Sequence, residues 1–135
     1  MLNIFSLHGK YFQNDENRLT ANFLFLLSEN RQTFLNGFLK KLDYSFNKDD
    51  LAKAEINFQV PRSEGISSAI PDAEIKINKH LHLLIEAKVG TNRLNLNQVD
   101  TYSTILTESP SKDKMIVCIT QIKKLECQAL NVDRN

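Results

Sequence analysis

No run of about 18 uncharged apolar residues occurs in the chain, which removes a membrane-spanning helix from consideration. The opening MLNIFSLHGK also lacks the basic start and small-residue cleavage site of a secretory signal. The expectation is therefore a soluble, cytoplasmic protein with no membrane partner. Cysteine is scarce. Cys118 sits in an apolar run and Cys127 in a polar one, without ligand spacing, so both are read as free thiols and not as a bridge or half of a zinc site. Charge of one sign is lacking too: 17 Lys and Arg stand against 16 Asp and Glu, a net charge of +1. That balance is not what a protein that coats nucleic acid by charge alone usually shows, and any phosphate binding has to be local. P-loop, dinucleotide-binding glycine pattern, nucleophile elbow and HExxH are all absent, which sets those enzyme classes aside. No internal repeat or low-complexity tract occurs.

What remains is an ordinary globular composition in 135 residues, read as a single domain over 1–135 that can bury a core without disulfides or structural metal. The polar end at Asn135 reads more like a cut than a finish. Asn14 to Leu42 reads as helix, with one stripe of Leu19, Phe23, Leu26 and Leu27 and a second of Phe34, Leu35, Phe38, Leu39 and Leu42; the polar SENRQT between them is a point where it divides. Ala54 to Val60 alternates as a strand and PRSEGISS is a loop. Ile70 to Ile77 and Leu81 to Val89 form a hairpin, Asn92 to Leu106 a helix, and Lys114 to Thr120 a buried strand. Ile122 to Leu130 is read as the start of another helix. The order is αβββαβ, an α/β class.

The hairpin carries charges where a sheet needs apolar side chains. With a loop of Asn78, Lys79 and His80, Asp72 faces Glu86, and Glu74, Lys76, His82, Leu84 and Lys88 share their side. Ala73, Ile75, Ile77, Leu81, Leu83, Ile85 and Ala87 then fall on the other, core side. A two-residue loop pairs Asp72 with Ile85 and mixes the faces, so the odd register is preferred on burial. Directly opposed residues have Cβ atoms about 4.5–5.5 Å apart, close enough for two carboxylates to share one divalent cation. Mg²⁺ favours one or two carboxylates, retained waters and substrate phosphate, and Lys88 projects on the same side as Glu86. A solvated hairpin face with a cross-strand ion pair is the competing reading.

Other polar groups fall on inner faces. Glu16 lies near the centre of the Leu19, Phe23 and Leu27 stripe on a helical wheel, or else is a first-turn acid after an Asn14 cap. Gln98 and Tyr102 lie within the stripe of Leu94, Val99, Ile105 and Leu106, where an amide needs a partner. His80 and His82 are read as exposed turn histidines, since no third ligand accompanies them.

In order, ENRLT at Glu16, PD at Asp72, EAK at Glu86 to Lys88 and QVDTY at Gln98 to Tyr102 resemble the PD-(D/E)XK nuclease superfamily. The QxxxY resembles the subgroup with nuclease domains of recombination-repair helicase-nucleases. The resemblance implies a restriction-endonuclease-like αβββαβ core, a mixed sheet flanked by helices, and Mg²⁺- or Mn²⁺-dependent hydrolysis of DNA phosphodiester bonds. It implies that Asp72, Glu86 and the Ala87 carbonyl hold the ion, that Lys88 orients or activates the attacking water, that Glu16 supports a metal water or second ion, and that Gln98 and Tyr102 position Lys88 or phosphate. Arg62 and Arg93 are the candidates for phosphate contacts, against solvated surface arginines. DNA is the expected partner, with a homodimer or a further protein partner; a catalytically inactive binding module on the same fold is the alternative.

Overall fold

The computed structural model describes residues 15–58, 70–88, 93–120 and 128–131. Helix α1 spans Asp15–Glu29, a π-helical turn Arg31–Leu35, α2 Asn36–Lys41 and α3 Lys48–Ala52; strands β1 Glu55–Phe58, β2 Ala73–Ile77 and β3 Leu81–Lys88 follow, then α4 Leu96–Glu108, β4 Asp113–Thr120 and β5 Gln128–Asn131. The strands make one five-stranded sheet in sequence order. Pairing is antiparallel except between β3 and β4, which run parallel and are joined through α4. The mixed α/β architecture and the helix, three strands, helix, strand order expected from the sequence are both present.

The β2–β3 register has Ala73 opposite Ile85 and Ile77 opposite Leu81, so the preceding Asp72 falls opposite Glu86. Asn78 supplies the left-handed residue that this short connection requires, at φ 50°, a conformation asparagine tolerates better than most residues. Its side chain donates to Asp50 Oδ1 at 2.7 Å and ties the turn to α3. Both faces of β3 are covered. Ala73, Ile75, Ile77, Leu81, Leu83 and Ile85 pack with Met115 and Val117 against Leu24, Leu27, Leu35, Leu39 and Leu51 of the helical N-terminal layer. On the opposite face Leu84 and Ile116 pack with Tyr102, Ile105 and Leu106 of α4.

That second layer sets aside the competing reading of a solvated hairpin face. Leu84 is fully buried and Glu74, His82 and Glu86 retain only 1, 2 and 4% of their surface. A strand that pairs parallel to its neighbour through a helix has that helix laid across it, so its polar side becomes an interior. His82 is corrected with it: a buried residue, whereas His80 is exposed.

The N-terminal helix divides where SENRQT suggested. Asn30 leaves helical geometry at φ −127°, and Leu35 N–H reaches back to the Asn30 carbonyl at 3.3 Å, five residues away. The wider turn shifts the α-helical wheel, leaving Phe34 half exposed while Leu35 and Leu39 are buried. Leu26 is likewise 43% exposed rather than part of the buried stripe. The helix expected to begin at Asn92 starts at Leu96, after an Asn95 cap. The helix expected over Ile122 to Leu130 is contradicted at its end: Gln128–Asn131 is a strand antiparallel to β4. Pairing there satisfies the backbone groups of β4 that would otherwise form an open edge.

Arg31 joins these pieces. Its Nη1 donates to the carbonyls of Leu51, Ala52 and Ala54 at 3.1, 3.0 and 2.7 Å, and Nε to Ser28 at 3.3 Å. The guanidinium thus caps the C-terminal carbonyls of α3 and pins them to the end of α1. Arg31→Met keeps most of the apolar stem and is expected to lower stability by about 1.5–3 kcal/mol, the range for hydrogen bonds to a charged group. Urea unfolding checks it; a change below about 0.5 kcal/mol contradicts the staple.

Candidate functional site

The end of β3 away from the hairpin turn gathers most of the residues singled out in the sequence. Gln98 and Tyr102 are four apart on α4 and therefore lie one turn above each other on one side of the helix. The start of the helix is fixed by a reciprocal cap: Asn95 Oδ1 accepts from Gln98 N–H at 2.8 Å and Asn95 N–H donates to Gln98 Oε1 at 3.3 Å. Because that amide oxygen is occupied by a donor, its nitrogen is the end turned to the sheet. Gln98 Nε2 donates to Glu86 Oε1 at 2.9 Å.

Tyr102 is fully buried. Its hydroxyl lies 2.6 Å from Glu86 Oε2 and 3.3 Å from the Ile70 carbonyl. One proton serves one acceptor well, and the closer, charged carboxylate takes it. Lys88 Nζ lies 2.9 Å from Glu86 Oε1, with the two side chains only 11 and 5% exposed. Glu86 therefore accepts from an amide, a phenol and an ammonium. A carboxylate offers about four lone-pair positions, so Oε2, with Tyr102 as its donor among the described residues, keeps capacity for a further partner. Across the hairpin Asp72, half-buried, accepts from the Ala87 N–H through Oδ2 at 2.8 Å.

Asp72, Glu86, Lys88, Gln98 and Tyr102 are thus brought together. Glu16 is in the first turn of α1, and α1 packs through Leu24 and Leu27 on the opposite face of the sheet; its side chain lies outside the described residues, as does Arg62. Arg93 is exposed just before α4. Among the described residues no group of three or more His, Cys, Asp or Glu converges in a way that could hold a metal ion. Mg²⁺ makes a smaller demand, one or two carboxylates with water and phosphate filling its shell, and Asp72 and Glu86 are the two carboxylates that the register sets opposite each other. Among the described residues, no helix is long and apolar enough to cross a membrane.

Two contributions went unread in the sequence. Asn95 was legible, since N-x-x-Q ahead of an apolar stripe is a helix-start signal. The second is a group at the hairpin end of the same face, Glu74, His82 and Ser109. It had no local signal, because its members come from three elements.

No protein-family model and no curated protein matches the chain. The solved structure of SSO0001 is similar with a TM-score of 0.33 and 15% identity, over 98% of this chain and 75% of that one. A likeness at that TM-score carries no argument about fold or function.

The phenol of Tyr102 is held well above its ordinary acidity range, first by burial, then by its hydrogen bond to Glu86 and the negative charges of Glu86 and Asp72. A pKa raised in the folded state means that the fold binds the phenol proton more tightly than the unfolded chain does. This contribution to stability is complete below pH about 10, the unfolded value, and is lost as pH climbs from there towards the folded value. Melting curves between pH 8 and 11 are expected to show the wild type losing stability faster than Tyr102→Phe above pH about 10. Parallel losses would contradict the coupling.

Proposed function

We propose that the chain is a divalent-metal-dependent nuclease acting on DNA. The single observation that carries this reading is the convergence on Glu86. A carboxylate opposite Asp72 across the hairpin has Lys88 at 2.9 Å and is held in place by Gln98 and Tyr102. Resemblance of the PD, EAK and QVDTY segments to the PD-(D/E)XK superfamily supports it, since the same residues make up both the motif and the cluster.

Phosphodiester hydrolysis needs an in-line water, charge neutralisation on the phosphoryl oxygens and help for the leaving alkoxide; a bound Mg²⁺ or Mn²⁺ supplies Lewis acidity to all of these. Asp72, Glu86 and the Ala87 carbonyl would hold it. Gln98 and Tyr102 keep the Glu86 carboxylate from rotating, which preserves the direction of its open lone pair. Lys88, nearly desolvated beside Glu86, orients the attacking water and balances charge in the transition state. Arg93 is an exposed cation on the approach to α4, suited to a backbone phosphate. Net charge of only +1 means that affinity for DNA comes from local contacts or from a partner subunit. The same number favours a second reading, a non-catalytic interaction module in which the Glu86 cluster serves only to seat α4 on the sheet.

Supercoiled and linear DNA incubated with Mg²⁺, Mn²⁺ or chelator separate the two. Cleavage with metal and none with chelator is expected. Lys88→Ala should lower the single-turnover rate about 100-fold or more with little change in DNA affinity. If Lys88 is instead only a structural counter-ion, its removal leaves Glu86 without its ion-pair partner and costs about 3–5 kcal/mol of stability. A folded Lys88→Ala protein that cleaves at the wild-type rate removes Lys88 from the mechanism; no cleavage by wild type with either metal favours the module.

A further inference from the structure

The face of the sheet under α4 has a second polar end. His82 lies four residues before Glu86 on β3, about 13 Å away along the strand, and the fully buried Leu84 stands between them. His82 Nε2 is 2.5 Å from Glu74 Oε1, and His82 Nδ1 is 2.7 Å from Ser109 Oγ. Glu74 and His82 are almost wholly buried, with side chains 2 and 3% exposed. Ser109, the residue that ends α4, is half-buried and precedes the exposed Pro110. None of these groups has a part in the nuclease chemistry.

Proton placement follows from the partners. A carboxylate can only accept from the ring, so Nε2 carries the proton. In the neutral ring Nδ1 is then the basic nitrogen, and the Ser109 hydroxyl donates to it. The Glu74 carboxylate is steadied by the Lys76 ammonium at 3.5 Å. Acid, imidazole and hydroxyl therefore stand in the roles of an activated serine, an arrangement recognised by geometry and not by order in the chain. Its layout suits that role: the base and its acid are shielded below, and the hydroxyl is at the margin. Lys114 pairs with His82 across β3 and β4, and its ammonium reaches the Thr107 carbonyl at 3.4 Å, two residues before Ser109. That brings a cation to the same end of α4, where negative charge on a reacting carbonyl oxygen would need one.

We propose that Ser109 is a second reactive centre, a serine activated by His82 and Glu74 for acyl transfer from carboxylic esters. The Ser109 Oγ bonds to the ester carbonyl carbon as its proton passes to His82 Nδ1 and the carbonyl π pair moves onto oxygen. When that pair returns, the bond to the alkoxide breaks and the alkoxide takes the proton from Nδ1. Water then attacks the acyl-serine, gives its proton to Nδ1, and Ser109 Oγ recovers that proton as the acid leaves. Ester and water become acid and alcohol, with no other reactant. The inference is independent of the nuclease reading.

The test uses the full chain with a fluorophosphonate probe, followed by peptide mass spectrometry, and p-nitrophenyl acetate as a turnover substrate. Ser109 is expected to be modified in preference to Ser103, which is also half-buried but has no imidazole partner among the described residues. Ser109→Ala should abolish modification and esterolysis, and His82→Gln should slow both about 100-fold. Labelling of Ser109 no faster than of Ser103 in the folded wild type overturns the proposal, whether or not the variants fold. So does an unchanged rate in folded His82→Gln.

Discussion

A carboxylate held at 4% exposure between a sheet and a helix is the constraint around which one layer of this protein is arranged. Removing the Glu86 charge from water costs several kcal/mol unless donors replace the lost hydration. The donors come from Gln98, Tyr102 and Lys88. Two of these are on α4, so satisfying Glu86 also sets the rotation of that helix over β3 and β4. The Asn95 cap places Gln98 in the first turn with its amide nitrogen facing the sheet. Local chain chemistry and the buried charge therefore specify the same helix position.

The cross-strand rows under α4 divide this face by polarity. Asp72 and Glu86 stand in one row with Cys118; Glu74, Leu84 and Ile116 form the next; Lys76, His82 and Lys114 form the third. The apolar centre, Leu84 and Ile116 under Tyr102, Ile105 and Leu106, holds the helix down. It also separates the two polar ends, so each can be altered with little direct effect on the other. Glu74 crosses from the middle row to reach His82, which is how a glutamate comes to be buried beneath the end of α4.

Much of this could be read from residue order. The hairpin register followed from counting, because only a three-residue loop sorts Ala73, Ile75, Leu83 and Ile85 onto one side, and the same count sets Asp72 against Glu86. Tyr102 and Gln98 were identifiable as polar groups inside an apolar stripe. The burial of His82 was not legible, since a histidine near a turn has no pattern of its own and its environment depends on where a helix from later in the chain comes to rest. Phe34 was misplaced because a wheel of about 100° per residue does not allow for a π turn. The strand Gln128–Asn131 competes with a helical reading over a short segment, and pairing with β4, a tertiary effect, decides it.

The central claim is that Asp72 and Glu86 form a binding site for a divalent cation, with Glu86 steadied for the purpose. Isothermal titration of the metal-free protein with Mg²⁺ or Mn²⁺ tests it without reference to any nucleic acid. The account predicts one saturable site per chain in the millimolar range or tighter, lost in Asp72→Asn and in Glu86→Gln while both variants keep the wild-type circular dichroism. Heats of dilution alone from the wild type, or equal binding by a folded Asp72→Asn protein, would contradict it.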